Sequence, residues 1–259
     1  MDSTSTRDAA SATPHCPVCQ GASAPLGSVD FNKNCEEARG RRLPPAGRLV
    51  SYVICRTCGF AWAPEFATWT QADFERDIYN ASYAEVDPDH LERRPQTNAE
   101  TLLGTFPAPH RPVRHLDYGG GAGRLSELLR TAGWDSTSFD PFFDGAGEPQ
   151  GRYQFISCFE VFEHVPDVGQ LVQRLDALLA PDGLILVSTL VSDGQLQPGH
   201  PLNWWYAAPR NGHISLYSAR SLGILAARQG WVTASFSADI HLFWRGDFPA
   251  WARHLLKAG

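Results

Sequence analysis

No stretch of this 259-residue chain approaches the roughly 20 consecutive apolar residues that a membrane-crossing helix needs. The opening "MDSTSTRDAASATPH" also lacks the apolar core of a secretory signal. A cytoplasmic location without a membrane partner is the expectation. Positive charge is not in excess: 22 Lys and Arg stand against 28 Asp and Glu, a net charge of −6. That balance has no general attraction for a phosphate backbone, so nucleic acid is a poor default partner. No internal repeat is visible, and no low-complexity block beyond the Ser/Thr/Ala-rich opening. With 43% hydrophobic and 19% charged residues, an ordinary globular chain remains, able to bury one sizeable core and carry a small appendage.

Four segments follow from the pattern. Residues 1–14 read as a flexible tail. Residues 15–64 are loop-rich, with a turn at "LPPAG" and one alternating, strand-like run from Leu49 to Ile54, and read as a small separate module. Residues 65–110 place Phe66, Trp69, Phe74, Ile78 and Tyr83 at roughly helical spacing, then a polar helix-like run from Arg94 to Leu103, and read as a helical connector. From residue 111 to 259, strand-like runs ("VRHLDY", "DSTSFD", "YQFISCF", "LILVSTL") alternate with helix-like ones. Such alternation predicts an α/β fold with a mostly parallel sheet. The closing "PAWARHLLKAG" suits a short amphipathic helix docked by Trp251, Leu255 and Leu256.

Six cysteines in a reducing compartment point to thiols or metal ligands rather than disulfides. Cys16 and Cys19 ("CPVC") and Cys55 and Cys58 ("CRTCGF") form two knuckles able to present four thiolates tetrahedrally to one Zn²⁺. A closed four-sulfur site leaves no open coordination position, so this zinc would be structural and the module ribbon-like. A redox pair or plain buried thiols are the alternatives. His15, Cys35 and Cys158 read as ordinary loop or core residues.

In "HLDYGGGAGR" a strand-like run ends at Asp117 and Tyr118 and glycines let a ligand approach the backbone before a helix begins. The dinucleotide fingerprint would require a glycine at position 124, which is Arg124. Gly119, Gly121 and Gly123 after an acidic strand end instead resemble motif I of the class I S-adenosylmethionine-dependent methyltransferases. "YQFISCFEVFEHVPD" and "LLAPDGLILVSTL" resemble later motifs of that family in the right order, covering residues 113–191. The resemblance implies a Rossmann-like fold ending in an antiparallel hairpin, with S-adenosylmethionine as cofactor. It also implies a cofactor site containing Asp117, the three glycines, Asp140 on the ribose hydroxyls, Phe159 and Glu160. Glu160 would face the methionine end, with a helix-start carboxylate as the competing reading. Many family members carry a third strand and an acidic adenine contact after the residue matching Asp140; here only "PFFDGAGEPQGR" is available. Phe142 or Phe143 is suited to stack on the adenine and Asp144 to meet its amino group, although both rings equally suit core positions.

Methyl transfer needs an aligned acceptor and, for a weak nucleophile, a base. In open α/β sheets the ligand crevice lies beyond the carboxyl ends of the strands. The aromatic loop "NWWYAAPRNGHISLYS" therefore nominates Trp205, Tyr206, Arg210 and Tyr217 for the acceptor, and His213 as its base. His164 is a second catalytic candidate. For both histidines, bracing a helix or loop is the competing reading. Together these features predict methyl transfer to oxygen, carbon or nitrogen of a small acceptor, sugar-like and secondary-metabolite intermediates included. The rivals are a macromolecule methyltransferase, supported by the cluster Arg39, Arg41 and Arg42, and a non-catalytic cofactor-binding protein.

Overall fold

A computed structural model describes residues 13–106, 113–143 and 147–257. Most of the segment read as a tail therefore lies outside the described residues, as does Asp144. In chain order come β1 (Ser23–Asp30), β2 (Leu49–Cys55), β3 (Ala61–Trp62), α1 (Gln71–Asp77), α2 (Tyr83–Val86), α3 (Arg93–Thr105), β4 (Arg114–Tyr118), α4 (Arg124–Thr131), β5 (Asp135–Phe139), β6 (Tyr153–Phe159), α5 (Val168–Leu178), β7 (Leu179–Ser188), β8 (Ser215–Leu216), α6 (Ala219–Arg228), β9 (Trp231–Ser235) and β10 (Ile240–Arg245).

Six strands form one sheet in the order β5-β4-β6-β7-β10-β9. The first four run parallel, with Leu116 opposite Thr137 and Ile156 opposite Ile185. β10 runs antiparallel to both β7 and β9, forming the expected hairpin. Leu116, Phe155, Ile156, Leu184 and Ile185 are fully buried because helices cover both faces of this sheet. On one side Leu102, Phe106, Leu125, Leu129 and Trp134 pack against it. On the other lie Leu171, Leu175, Leu222 and Leu225, together with Cys16, Cys58, Phe60 and Trp62. No strand follows β5 at the sheet's edge among the described residues, as the short segment after Asp140 predicts.

The amino-terminal module is not separate. Its sheet, β1-β2-β3-β8, takes its last strand from residues 215–216, with Ala61 opposite Leu216. The aromatic segment expected to form an open acceptor loop folds against this sheet instead. Trp204, Tyr206, Ala207 and Ile214 join Tyr52, Phe66, Phe74 and Ile78 in one apolar core. Their removal from water, worth about 25 cal/mol per Å² of apolar surface, outweighs keeping such side chains at a solvent-filled cleft. At the carboxyl end, Trp251 is half-buried and Leu255 buried in the short 3-10 helix Ala250–Lys257, but Leu256 is 64% exposed and docks nothing.

Candidate active site

Beyond the carboxyl ends of β4, β5 and β6 lies a cavity of about 730 Å³. The glycine turn forms its floor. Gly119, Gly121 and Gly123 all have positive φ, at 78°, 54° and 82°. At Gly119 a Cβ would fall 2.3 Å from Val161 Cγ2, so the turn is also sterically closed to larger residues. Gly120 is just as constrained, since a Cβ there would lie 2.3 Å from Asp117 Oδ2 and 2.4 Å from Ser138 Oγ. Sequence reasoning passed over Gly120, although an unbroken glycine triplet was its signal.

Asp140 follows directly on β5, and both its oxygens are oriented by backbone. Oδ2 accepts a 2.9 Å bond from the Gly121 amide and Oδ1 a 2.8 Å bond from the Phe142 amide. Burial raises its pKa, while those two amides act against the shift. Each oxygen retains acceptor capacity for a ligand in the cavity. Asp117 lies beneath the turn, where Ser157 donates to it at 2.8 Å; burial pushes its pKa up to about 7. Behind it His115 bridges Ser136 and Ser157, and burial holds that imidazole neutral, with a pKa near 3.

Phe142, Phe143, Phe159 and Glu160 also line the cavity. Phe142 packs on Tyr79 with ring centroids 4.8 Å apart. Glu160 is one of two non-glycine residues with positive φ among the described residues, at 52°. That left-handed geometry costs on the order of 1 kcal/mol for a side chain of its type. The Glu160 amide bonds to the Ser188 carbonyl at 3.1 Å and its side chain accepts from the Ser188 hydroxyl at 3.2 Å, which holds the carboxylate at the cavity. Burial raises its pKa, and the charge of Arg94 opposes that shift.

The opposite wall comes from the connector, which sequence reasoning assigned no chemistry. Tyr79, Tyr83, His90 and Arg94 all reach the cavity. Arg94 is gripped bidentately by Asp87, with two 2.8 Å bonds. Tyr79 and Tyr83 stack edge to face at 5.2 Å, and Tyr83 meets His90 at 5.1 Å. The available signal was tyrosine, histidine and arginine interleaved with a helical apolar stripe just before the glycine motif.

Of the two histidines nominated for catalysis, only His164 lines the cavity. Burial lowers its pKa to about 4, leaving it neutral at physiological pH. His213 is 4% exposed and sits behind it, ring centroids 5.0 Å apart, with Nδ1 2.9 Å from the Tyr206 carbonyl. It braces the wall rather than facing a ligand. The four residues nominated for the acceptor are likewise misplaced by the sequence reading. Tyr206 is buried and donates to Glu163. Arg210, 5% exposed, donates to the Ile78 carbonyl and to Asn80 and Ser82, and so ties the connector to this segment. Tyr217 is fully buried and donates to the Phe162 carbonyl. Trp205 is 43% exposed but lies outside the cavity lining. These polar ends satisfy buried backbone that the apolar core would otherwise strand.

The four knuckle cysteines converge as expected, each sulfur within 4.8 Å of the others. Cys16 and Cys58 sulfurs are 3.6 Å apart and those of Cys19 and Cys55 3.4 Å. Tetrahedral Zn²⁺ with bonds of about 2.3 Å would set its sulfurs roughly 3.8 Å apart, so the set fits. Amides of Thr57 and Cys58 donate to Cys55 Sγ at 3.3 and 3.4 Å, as a thiolate ligand requires. The hydrogen bond from Cys58 draws the Cys16 thiol down to about 5. His15, Cys35 and Cys158 stand outside this cluster.

A family model described as a methyltransferase domain matches residues 90–235. Among curated proteins, the ubiquinone biosynthesis O-methyltransferases of Bordetella avium and Bradyrhizobium diazoefficiens are each 33% identical to this chain. The two matches cover 30% of this chain and, respectively, 42% and 40% of the relatives. The chain thus spans less than half the length of these curated relatives. Magnesium protoporphyrin IX methyltransferase from Synechocystis PCC 6803, solved with bound SAH, aligns with a TM-score of 0.42 and 16% identity over 71% of this chain and 98% of that one. For human N-acetylserotonin methyltransferase in complex with SAM the TM-score is 0.47 and the identity 18%, over 66% and 59% of the two chains. Matched by the family model over more than half of its length, with the glycine turn and Asp140 inside the match, the chain belongs to the methyltransferase-domain family.

Proposed function

We propose that this protein transfers a methyl group from S-adenosylmethionine to an oxygen of a small acceptor with a flat, apolar body. The observation that carries the reading is Asp140, braced by the Gly121 and Phe142 amides and open to the cavity beside the glycine turn. Its remaining acceptor sites suit two vicinal ribose hydroxyls. Arg94 supplies a cation and Glu160 an acid to the same space, a pair complementary to the carboxylate and ammonium of an amino acid. Bound there, the cofactor supplies an electrophilic methyl on its sulfonium. Phe74, Tyr79, Tyr83 and Phe142 present ring surfaces to the acceptor and exclude water from the transfer path. His164, neutral and within the lining, takes the acceptor's hydroxyl proton. The choice of oxygen is supported by the names of the curated relatives. Residues 15–64, through their four cysteines, would hold a structural zinc.

In the cluster that favours the macromolecular alternative, Arg39 pairs with Glu36 at 2.8 Å and Asp89 at 3.3 Å, and Arg41 with Glu36 at 3.3 Å. These exposed pairs offset part of the cluster's positive charge. Calorimetric titration with S-adenosylmethionine, S-adenosylhomocysteine and NAD tests the proposal. Micromolar binding of the first two with NAD silent is expected, followed by turnover in a screen of phenolic and other hydroxyl acceptors. Binding of NAD alone would overturn it.

A further inference from the structure

We infer that the adenine ring of the cofactor is read from α5, through the carboxamide of Gln170, in place of a residue following a third strand. The inference rests on the cofactor reading just given. Between β5 and β6 the described residues form no strand, and Asp144 lies outside them. Residues from one face of α5 and its N-cap occupy the lining instead: Asp167, Gln170, Leu171 and Arg174. Their spacing of three, four and seven residues puts all four on one stripe of the helix.

Arg174 and Leu171 are committed to the fold, and Asp167, an acceptor only, gives one oxygen to the helix cap. Asp167 Oδ1 accepts from the Gln170 amide at 2.9 Å, capping the helix. Arg174 lays its guanidinium over the Phe139 ring, 4.7 Å from the centroid, and pairs with Glu148, tying the segment before β6 to α5. Leu171 is apolar and packs in the core. Gln170 remains, exposed, with a carboxamide that has no partner among the described residues. One carboxamide carries an acceptor and a donor side by side, which matches the 6-amino donor and the adjacent N1 acceptor of adenine. Val161, Val165 and Phe143 lie in the same lining and supply apolar surface for the ring faces.

The test compares S-adenosylhomocysteine with its analogue lacking the 6-amino group, titrated into the full chain and into Gln170→Leu and Asp140→Ala. Wild type should prefer the amino-bearing ligand about tenfold, the size of one to two neutral hydrogen bonds. Gln170→Leu should bind both ligands equally and weakly, with an unchanged circular dichroism spectrum because the side chain is exposed. Asp140→Ala should weaken both while keeping their ratio. A Gln170→Leu variant that keeps the tenfold preference overturns the inference and leaves the cofactor reading intact. Wild-type protein that binds neither ligand overturns both.

Discussion

The hydroxyl of Ser218, at the N-cap of α6, donates to the carbonyl of Cys58, and at the other end of the same helix Arg228 donates to the carbonyls of Pro17 and Val18 at 3.1 and 2.8 Å. The helix is strapped across both cysteine knuckles. Because Cys16, Cys58, Phe60 and Trp62 share a core with Tyr217 and Leu222, the cysteine cluster and the sheet domain stabilise each other. Cys58→Ser should therefore lose zinc and lower the melting temperature by about 5 °C or more, and not merely loosen an appendage. Elemental analysis and calorimetry on the same sample check this; one zinc per chain retained in the variant would reject the ligand set.

Asp140→Ala should weaken S-adenosylhomocysteine binding by about 1–3 kcal/mol, through loss of charge-assisted hydrogen bonds to the ligand and of the brace on the Gly121 amide. Isothermal titration measures it directly. Affinity unchanged in the folded variant would remove Asp140 from the site.

Asp117 makes stability depend on pH. Burial raises its pKa from the ordinary 3.8 to about 7. A carboxyl raised in the folded state favours folding fully below pH 3.8, and that contribution is lost as pH rises through about 7. Asp117→Asn keeps an acceptor for Ser157 without the ionisation, and its amide adjoins Ser138 Oγ, which is buried without a partner. Relative to wild type, the variant should gain in melting temperature between pH 5 and pH 8. A constant difference across that range would contradict the assigned burial cost.

His164→Gln should lower kcat by about 10²–10³-fold while leaving cofactor affinity within twofold. Since burial depresses the imidazole pKa to about 4, the wild-type kcat profile should show no histidine limb between pH 6 and 8 and should fall only on further acidification. A midpoint near 6.5 that disappears in the variant would show that the imidazole is solvated.

Arg210→Ala should act on folding. It strands the Ile78 carbonyl and removes the bonds to Asn80 and Ser82, at a cost of about 2–4 kcal/mol, with turnover per folded molecule little changed. Denaturant titration paired with active-site normalisation separates the two effects. Trp205→Ala, at an exposed ring outside the cavity, is the control and should be near neutral.

The glycine turn, Asp140 and the two CxxC knuckles were legible because each is local. Positive φ selects glycine, and a two-residue gap sets the thiol spacing, so the requirement is written within a few positions. The strand run ending in "FISCFE" was legible for the same reason, although its left-handed Glu160 was not. The acceptor wall was misread because composition alone does not separate a wet aromatic loop from a dry one. "NWWYAAPRNGHISLYS" holds the residue types of a binding surface, yet β8 pairs with β3 and draws the segment into the amino-terminal layer. That pairing spans more than 150 positions of sequence, beyond any local pattern.

By itself, the sequence determined the alternating α/β domain, the parallel strands, the glycine turn and the cysteine cluster. Periodicity, backbone conformation and ligand spacing are short-range physics that a single segment can express. Only the tertiary structure decided which face of the cavity the connector supplies, that Arg94 and Tyr79 look into it, that His164 rather than His213 lines it, and that α6 is clamped to the knuckles. Those facts depend on which apolar surfaces find each other across the whole chain, and burial is non-directional: it rewards the total surface removed from water and leaves the choice of partners to the packing of the finished fold.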